Sequence, residues 1–86
     1  MNDKQDSFVT RDLEGEYVVV TSKIPGLKWS GIFYRFFERT NAIVLRDYTT
    51  HRMKDGNWEV EGKGDLIIIS GSSWAEIECP KFKGRK

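Results

Sequence analysis

Apolar residues in this chain come in short runs, and a turn closes every run. Residues 17–20, 32–34, 42–45 and 66–69 are the apolar stretches; Pro25-Gly26, Glu38-Arg39-Thr40-Asn41, Asp55-Gly56 and Gly71-Ser72-Ser73 stand between or behind them. Val, Ile, Tyr, Phe and Trp dominate the runs, as they do in strands, where branched and aromatic side chains pack well on a pleated surface. No segment of ordinary helix length keeps its apolar residues at a 3.6-residue period. Only residues 7–13, with Phe8, Val9 and Leu13, have the make-up of a short helical turn. The pattern predicts an all-β chain of five or six short strands joined by close turns. A small sheet leaves unpaired backbone at its edges, and strong bending into a small barrel removes most of that exposure.

The first strand is expected over residues 16–22, centred on Tyr17-Val18-Val19-Val20-Thr21. Ile24-Pro25-Gly26-Leu27 turns it back, because Pro fixes φ and Gly accepts positive φ. A second strand over residues 30–37 puts Ile32, Tyr34 and Phe36 on one face and Phe33, Arg35 and Phe37 on the other. Gly31, near its start, leaves room for a bend or for close approach of another backbone. A third strand runs from Ala42 to about Arg52, long enough to bend across a barrel. Lys54-Asp55-Gly56-Asn57 is the clearest hairpin signal, since Asp-Gly favours the primed turns. A fourth strand starts at residues 58–61 and is expected to break at Gly62-Lys63-Gly64-Asp65, after which residues 66–70 form a buried strand. Residues 74–79 alternate as a last strand, which Pro80 ends. The resulting division is a polar segment at 1–12, a barrel domain at 13–80 and a basic tail at 81–86.

Composition narrows the function. A chain of 86 residues makes one domain with a modest core, and at this size assembly is a natural source of extra stability. With 38% hydrophobic and 31% charged residues it has the profile of a folded soluble domain. A net charge of +1 is not that of a general polycation, so any nucleic-acid site is local. Cys79 and His51 are the only residues of their kinds, which leaves no internal disulfide and too few ligands for a zinc site. No metal and no cofactor are expected. There is no Gly-rich phosphate loop, and Asp47, Asp55 and Asp65 show no sign of pairing, so catalysis finds no support. The polar N-terminus has no apolar core of a signal peptide, and no run is long enough to cross a bilayer; a cytoplasmic location is the expectation.

Two segments carry more specific content. Phe37-Glu38-Arg39-Thr40-Asn41 leads into Ala42-Ile43-Val44-Leu45-Arg46-Asp47, and Gly62-Lys63-Gly64-Asp65 leads into Leu66-Ile67-Ile68-Ile69. Their order and contents resemble the two signature segments of the Sm and Sm-like (LSm) proteins. Leu13-Glu14-Gly15-Glu16 followed by Tyr17-Val18-Val19-Val20 is similar to that family's opening, and Gly31 stands where the family has a Gly in its bent second strand. The resemblance covers roughly residues 13–69. The first turn is one residue shorter than the family's, Glu38 and Lys63 replace its usual Asp and Arg, and Gly62 falls where an apolar residue is usual. The resemblance implies a small Sm-like (SH3-type) barrel, a cyclic homo-oligomer of about five to eight subunits, and binding of single-stranded, uridine-rich RNA around the central hole, as a scaffold or chaperone.

The candidate RNA-binding residues are Arg39, Thr40, Asn41, Lys63, Gly64 and Asp65. An Asn amide both donates and accepts, which suits uracil, whose N–H lies between two carbonyls. The Arg39 guanidinium can stack on a base, Lys63 can meet a base or a phosphate, Gly64 permits close approach, and the Asp65 backbone N–H can complete a pocket. Glu38 is placed to fix Asn41 or Arg39. Each residue also has a plainer reading: Asn41 as a turn residue that tolerates left-handed backbone, Glu38 with Arg39 as a solvated ion pair, and Lys63-Gly64-Asp65 as an ordinary turn. Trp29 and Trp74 can stack bases, although aromatics on strands serve more often as core or subunit contacts. A rival of another class is an SH3-like protein-interaction module with an aromatic peptide groove around Trp29, Tyr34 and Trp74. A third is an OB-type single-strand binder.

Overall fold

The computed structural model describes residues 13–80. The segment 1–12, with its expected helical turn, and the basic tail 81–86 lie outside the described residues. The described chain forms β1 (Tyr17–Ser22), β2 (Leu27–Phe37), β3 (Ala42–Lys54), β4 (Asn57–Ile69) and β5 (Trp74–Glu78). All pair antiparallel in one sheet of order β4-β3-β2-β1-β5. This is the expected small, strongly bent all-β fold, with five strands.

The bend has a local cause. Gly31 in β2 sits opposite a bulge in β3, where the register slips between Ser30 and Ile32. A Cβ on Gly31 would lie 2.8 Å from the Arg46 carbonyl oxygen and 3.0 Å from the Tyr48 Cα, so only a residue without a side chain lets the two backbones approach there. Asp47, in the bulge, takes a φ of 48°. A second slip at Tyr34 re-aims the far half of β2. Phe33 and Phe36 therefore both turn inward, which departs from the strict alternation expected of this strand. The inner face collects Val18 and Val20 from β1, Trp29 and Phe33 from β2, Ile43 and Leu45 from β3, and Ile69 from β4, with Leu13 and Cys79 closing the ends. Trp29 is thus a core residue, and β2 starts earlier than expected, at Leu27.

Strand β4 departs most from expectation. Gly62-Lys63-Gly64-Asp65 is no turn, because β4 is continuous over thirteen residues and pairs with β3 along its whole length. The partner strand decides the matter: Tyr48 lies opposite Gly64, and its ring occupies the space that a side chain there would need. Nor are residues 66–69 buried on both faces. Ile67 and Ile69 point to the core, whereas Leu66 is 55% exposed and Ile68 is 68% exposed. The hairpin that joins β3 to β4 turns at Asp55-Gly56, both at positive φ, as Asp-Gly requires. Among the described residues β4 pairs only with β3 and β5 only with β1, so both outer edges are open.

Candidate nucleic-acid interface

Two turns meet at one end of the sheet. The β2–β3 turn is closed by the Asn41 N–H donating to the Phe37 carbonyl at 2.7 Å, with Asn41 at a φ of 64°. Asn is one of the few residues that tolerates this left-handed backbone, so Asn41 serves as the turn residue, and its amide is exposed. The β4–β5 turn is closed by the Ser73 N–H donating to the Ser70 carbonyl at 2.9 Å. Gly71 at its tip packs directly on the first turn: an added Cβ would strike the Thr40 carbonyl oxygen and lie 2.7 Å from the Asn41 Cβ. The Trp74 indole Nε1–H donates to the Asn41 carbonyl oxygen at 2.7 Å, which locks the turns together across the sheet end. The Ser70 hydroxyl lies 3.0 Å from that of Ser72 and 3.3 Å from that of Ser73, so the second turn presents a cluster of linked hydroxyls.

Of the expected site residues, Arg39, Thr40 and Asn41 lie together on the first turn, all exposed, next to Glu38. Lys63, Gly64 and Asp65 are elsewhere. Ile69, at the end of β4, pairs with Ile43 beside the turns, while Gly64 pairs with Tyr48 at the bend. Five residues of strand separate them, roughly 16 Å at 3.3 Å per residue. The groups brought to Asn41 are instead Ser70, Gly71, Ser72, Ser73 and Trp74. Their sequence signal was the Gly-Ser-Ser turn followed by a strand that opens on Trp. Once β4 is seen to be continuous, the apolar strand followed by polar residue and Gly is Ile67-Ile68-Ile69-Ser70-Gly71.

Chemically the junction offers an amide with paired donor and acceptor, one exposed guanidinium and several hydroxyls, with no carboxylate except Glu38 in the two turns. Such a set has the donors and acceptors to pair with a base edge and one cation to meet a phosphate. Among the described residues no group of three or more His, Cys, Asp or Glu is placed to hold a metal ion. His51 lies on the distant β3–β4 hairpin, 2.9 Å from the Ser30 hydroxyl through Nε2. Burial, and secondly the nearby Lys28 ammonium, hold its pKa below the ordinary 6.5. The Lys28 ammonium of β2 sits 4.1 Å over the ring of Trp58 on that hairpin.

No family model and no curated protein match this sequence. Solved structures do match. The Sm protein of Pyrococcus abyssii in complex with a uridine heptamer is 24% identical, with a TM-score of 0.65 over 79% of this chain and 87% of that one. The SmAP1 heptamer of P. aerophilum is 20% identical, with a TM-score of 0.64 over 86% of this chain and 89% of that one. A chain of the NatC complex bound to CoA is 15% identical, with a TM-score of 0.64 over 85% of this chain and 88% of that one. Likeness at these identities is likeness of fold.

Proposed function

We propose, from the premise that this chain has the Sm-like fold, that it assembles edge to edge into a cyclic homo-oligomer and binds single-stranded, uridine-rich RNA where its two turns meet. The observation that carries the reading is the junction itself: Gly71 packed on Thr40 and Asn41, with the Trp74 indole holding the Asn41 carbonyl. The Asn41 amide pairs with the uracil edge, accepting from its N–H and donating to a carbonyl. Arg39 stacks on the base or meets its phosphate, and the hydroxyls of Ser70, Ser72 and Ser73 reach the sugar. A uridine heptamer bound to a protein of the same fold supports the choice of ligand.

The assembly follows from the open edges. A neighbour's β5 laid along β4 would pair backbone groups that a single chain leaves open, and it would cover apolar surface at Leu66 and Ile68. Each subunit then turns its junction to a common centre, and a strand of RNA meets several sites at once.

Asn41→Gly, which keeps the left-handed turn and removes the amide, is the test. Loss of a paired amide contact is worth roughly 1–3 kcal/mol per site, so the Kd for a uridine heptamer rises roughly tenfold or more while the solution mass stays the same. An unchanged Kd in an intact assembly would remove the junction as the site. Binding should also weaken steeply with added salt, as phosphate contacts release counterions. A second reading has one observation in its favour, the same fold in a chain of the NatC complex. In that reading the open edges and their apolar residues dock a partner protein, and uridine-rich RNA does not bind.

A further inference from the structure

A groove of about 420 Å³ opens on the outer face of the sheet where β2, β3 and β4 bend, and Tyr34, Arg46, Asp47, Asp65 and Leu66 line it. Its volume lies in the range of small-ligand sites. Arg46 pairs with Leu66 across β3 and β4, and both are exposed, whereas the next pair along, Leu45 with Ile67, turns toward the core. The groove therefore opens on the solvent face of the sheet, and Leu66, on the edge strand β4, stands at its border with the surface that edge-to-edge pairing would cover.

We propose that this groove is a second nucleic-acid site that takes a guanine base. The Tyr34 ring, 43% exposed, provides a flat floor, with the Arg46 guanidinium 5.5 Å and the Arg35 guanidinium 5.7 Å from its centre. Aromatic and guanidinium planes of this kind are what an unpaired base stacks on. The carboxylates of Asp47 and Asp65 select the base. An ionised carboxylate only accepts hydrogen bonds. Guanine alone presents adjacent N–H donors on its Watson–Crick edge with no acceptor between them and the carboxylate. Uracil flanks its one N–H with carbonyls, and adenine and cytosine set a ring-nitrogen acceptor beside their amino group, so each would face the carboxylates with a lone pair. The opposite edge of guanine carries the O6 and N7 acceptors that an Arg46 guanidinium can reach.

One feature leaves the charges of these side chains available to a ligand, although the Arg46 guanidinium already lies over the Tyr34 ring. Among the described residues none of Arg46, Asp47 and Asp65 forms an ion pair, although the cation and both acids line one groove. Asp47 is also held at a φ of 48° by the bulge opposite Gly31, and a strained non-glycine backbone of this sort persists where the surrounding fold over-determines it.

The experiment compares three labelled heptamers by fluorescence anisotropy: uridine only, adenine only, and alternating guanine and adenine. The alternating heptamer should bind at least tenfold more tightly than the adenine one, and unlabelled uridine heptamer should not displace it. Tyr34→Ala should weaken the alternating heptamer at least tenfold and leave uridine binding unchanged. Asp65→Asn, which keeps the shape and loses the charge, should abolish the preference for guanine over adenine; thermal melting confirms that both variants fold. Equal binding of the two purine heptamers, displacement by uridine, or no effect of Tyr34→Ala would each overturn the proposal. Loss of uridine binding alone in Asn41→Gly would leave this groove standing, so the two sites fail separately.

Discussion

At the residue scale, single atoms decide the shape of the junction. Replacing Trp74 by Phe keeps the ring and removes the Nε1–H that holds the Asn41 carbonyl. The expected cost is about 1 kcal/mol of stability, read from the denaturant midpoint, with several-fold weaker uridine binding because the Asn41 amide is no longer fixed. Gly31→Ala should cost more, roughly 1–3 kcal/mol, since the new Cβ meets backbone of β3 that cannot yield without straightening the bend. His51 gives a pH dependence with a definite sign. Its folded pKa is depressed, so the unfolded chain takes up the proton first, near the ordinary 6.5. Stability from this group is full above that pH and is lost as pH falls through it toward the folded pKa. A urea midpoint that drops between about pH 7.5 and about pH 5.5, by less in His51→Gln, is the expected result. At this scale the expected turn at Asn41 and the expected close backbone approach at Gly31 are both found, because each answers a local backbone demand. The sequence reading placed Lys63, Gly64 and Asp65 beside Asn41 through their order in the chain, which says nothing of how far apart two strand positions lie once β3 and β4 are paired.

At the element scale, what was legible was what neighbouring residues settle among themselves. The Asp55-Gly56 hairpin is an example, since two positive-φ positions in succession suit few other pairs. The continuity of β4 was not legible. Glycines at 62 and 64 read locally as a break, and only the thirteen-residue partner β3, with the Tyr48 ring over Gly64, makes them part of a strand. The outward side chains of β4 carry the prediction that belongs here. Leu66 and Ile68 are exposed in the single chain, so Lys at both positions should change its stability little. The same pair of charges should break an edge-to-edge assembly, because an apolar contact would then desolvate two ammonium groups. The expected outcome is an unchanged far-UV circular dichroism spectrum with a solution mass that falls to one chain.

For the whole molecule, the order β4-β3-β2-β1-β5 leaves the first and last strands of the sheet unpaired among the described residues. A barrel this small has two remedies, to close on itself or to close through its neighbours, and the proposed assembly takes the second. The sequence foretold the bent all-β architecture because the spacing of turns and β-branched runs is a property of the chain itself. The union of the β2–β3 and β4–β5 turns depends on contacts more than thirty residues apart, such as the 2.7 Å bond between Trp74 and Asn41, and no local pattern announces it. The proposed edge-to-edge ring gathers these junctions around one hole. Its most direct test is the solution mass of the nuclease-treated protein by light scattering: the account predicts five or more 10.0 kDa chains in a single closed species, and a clean monomer would contradict it.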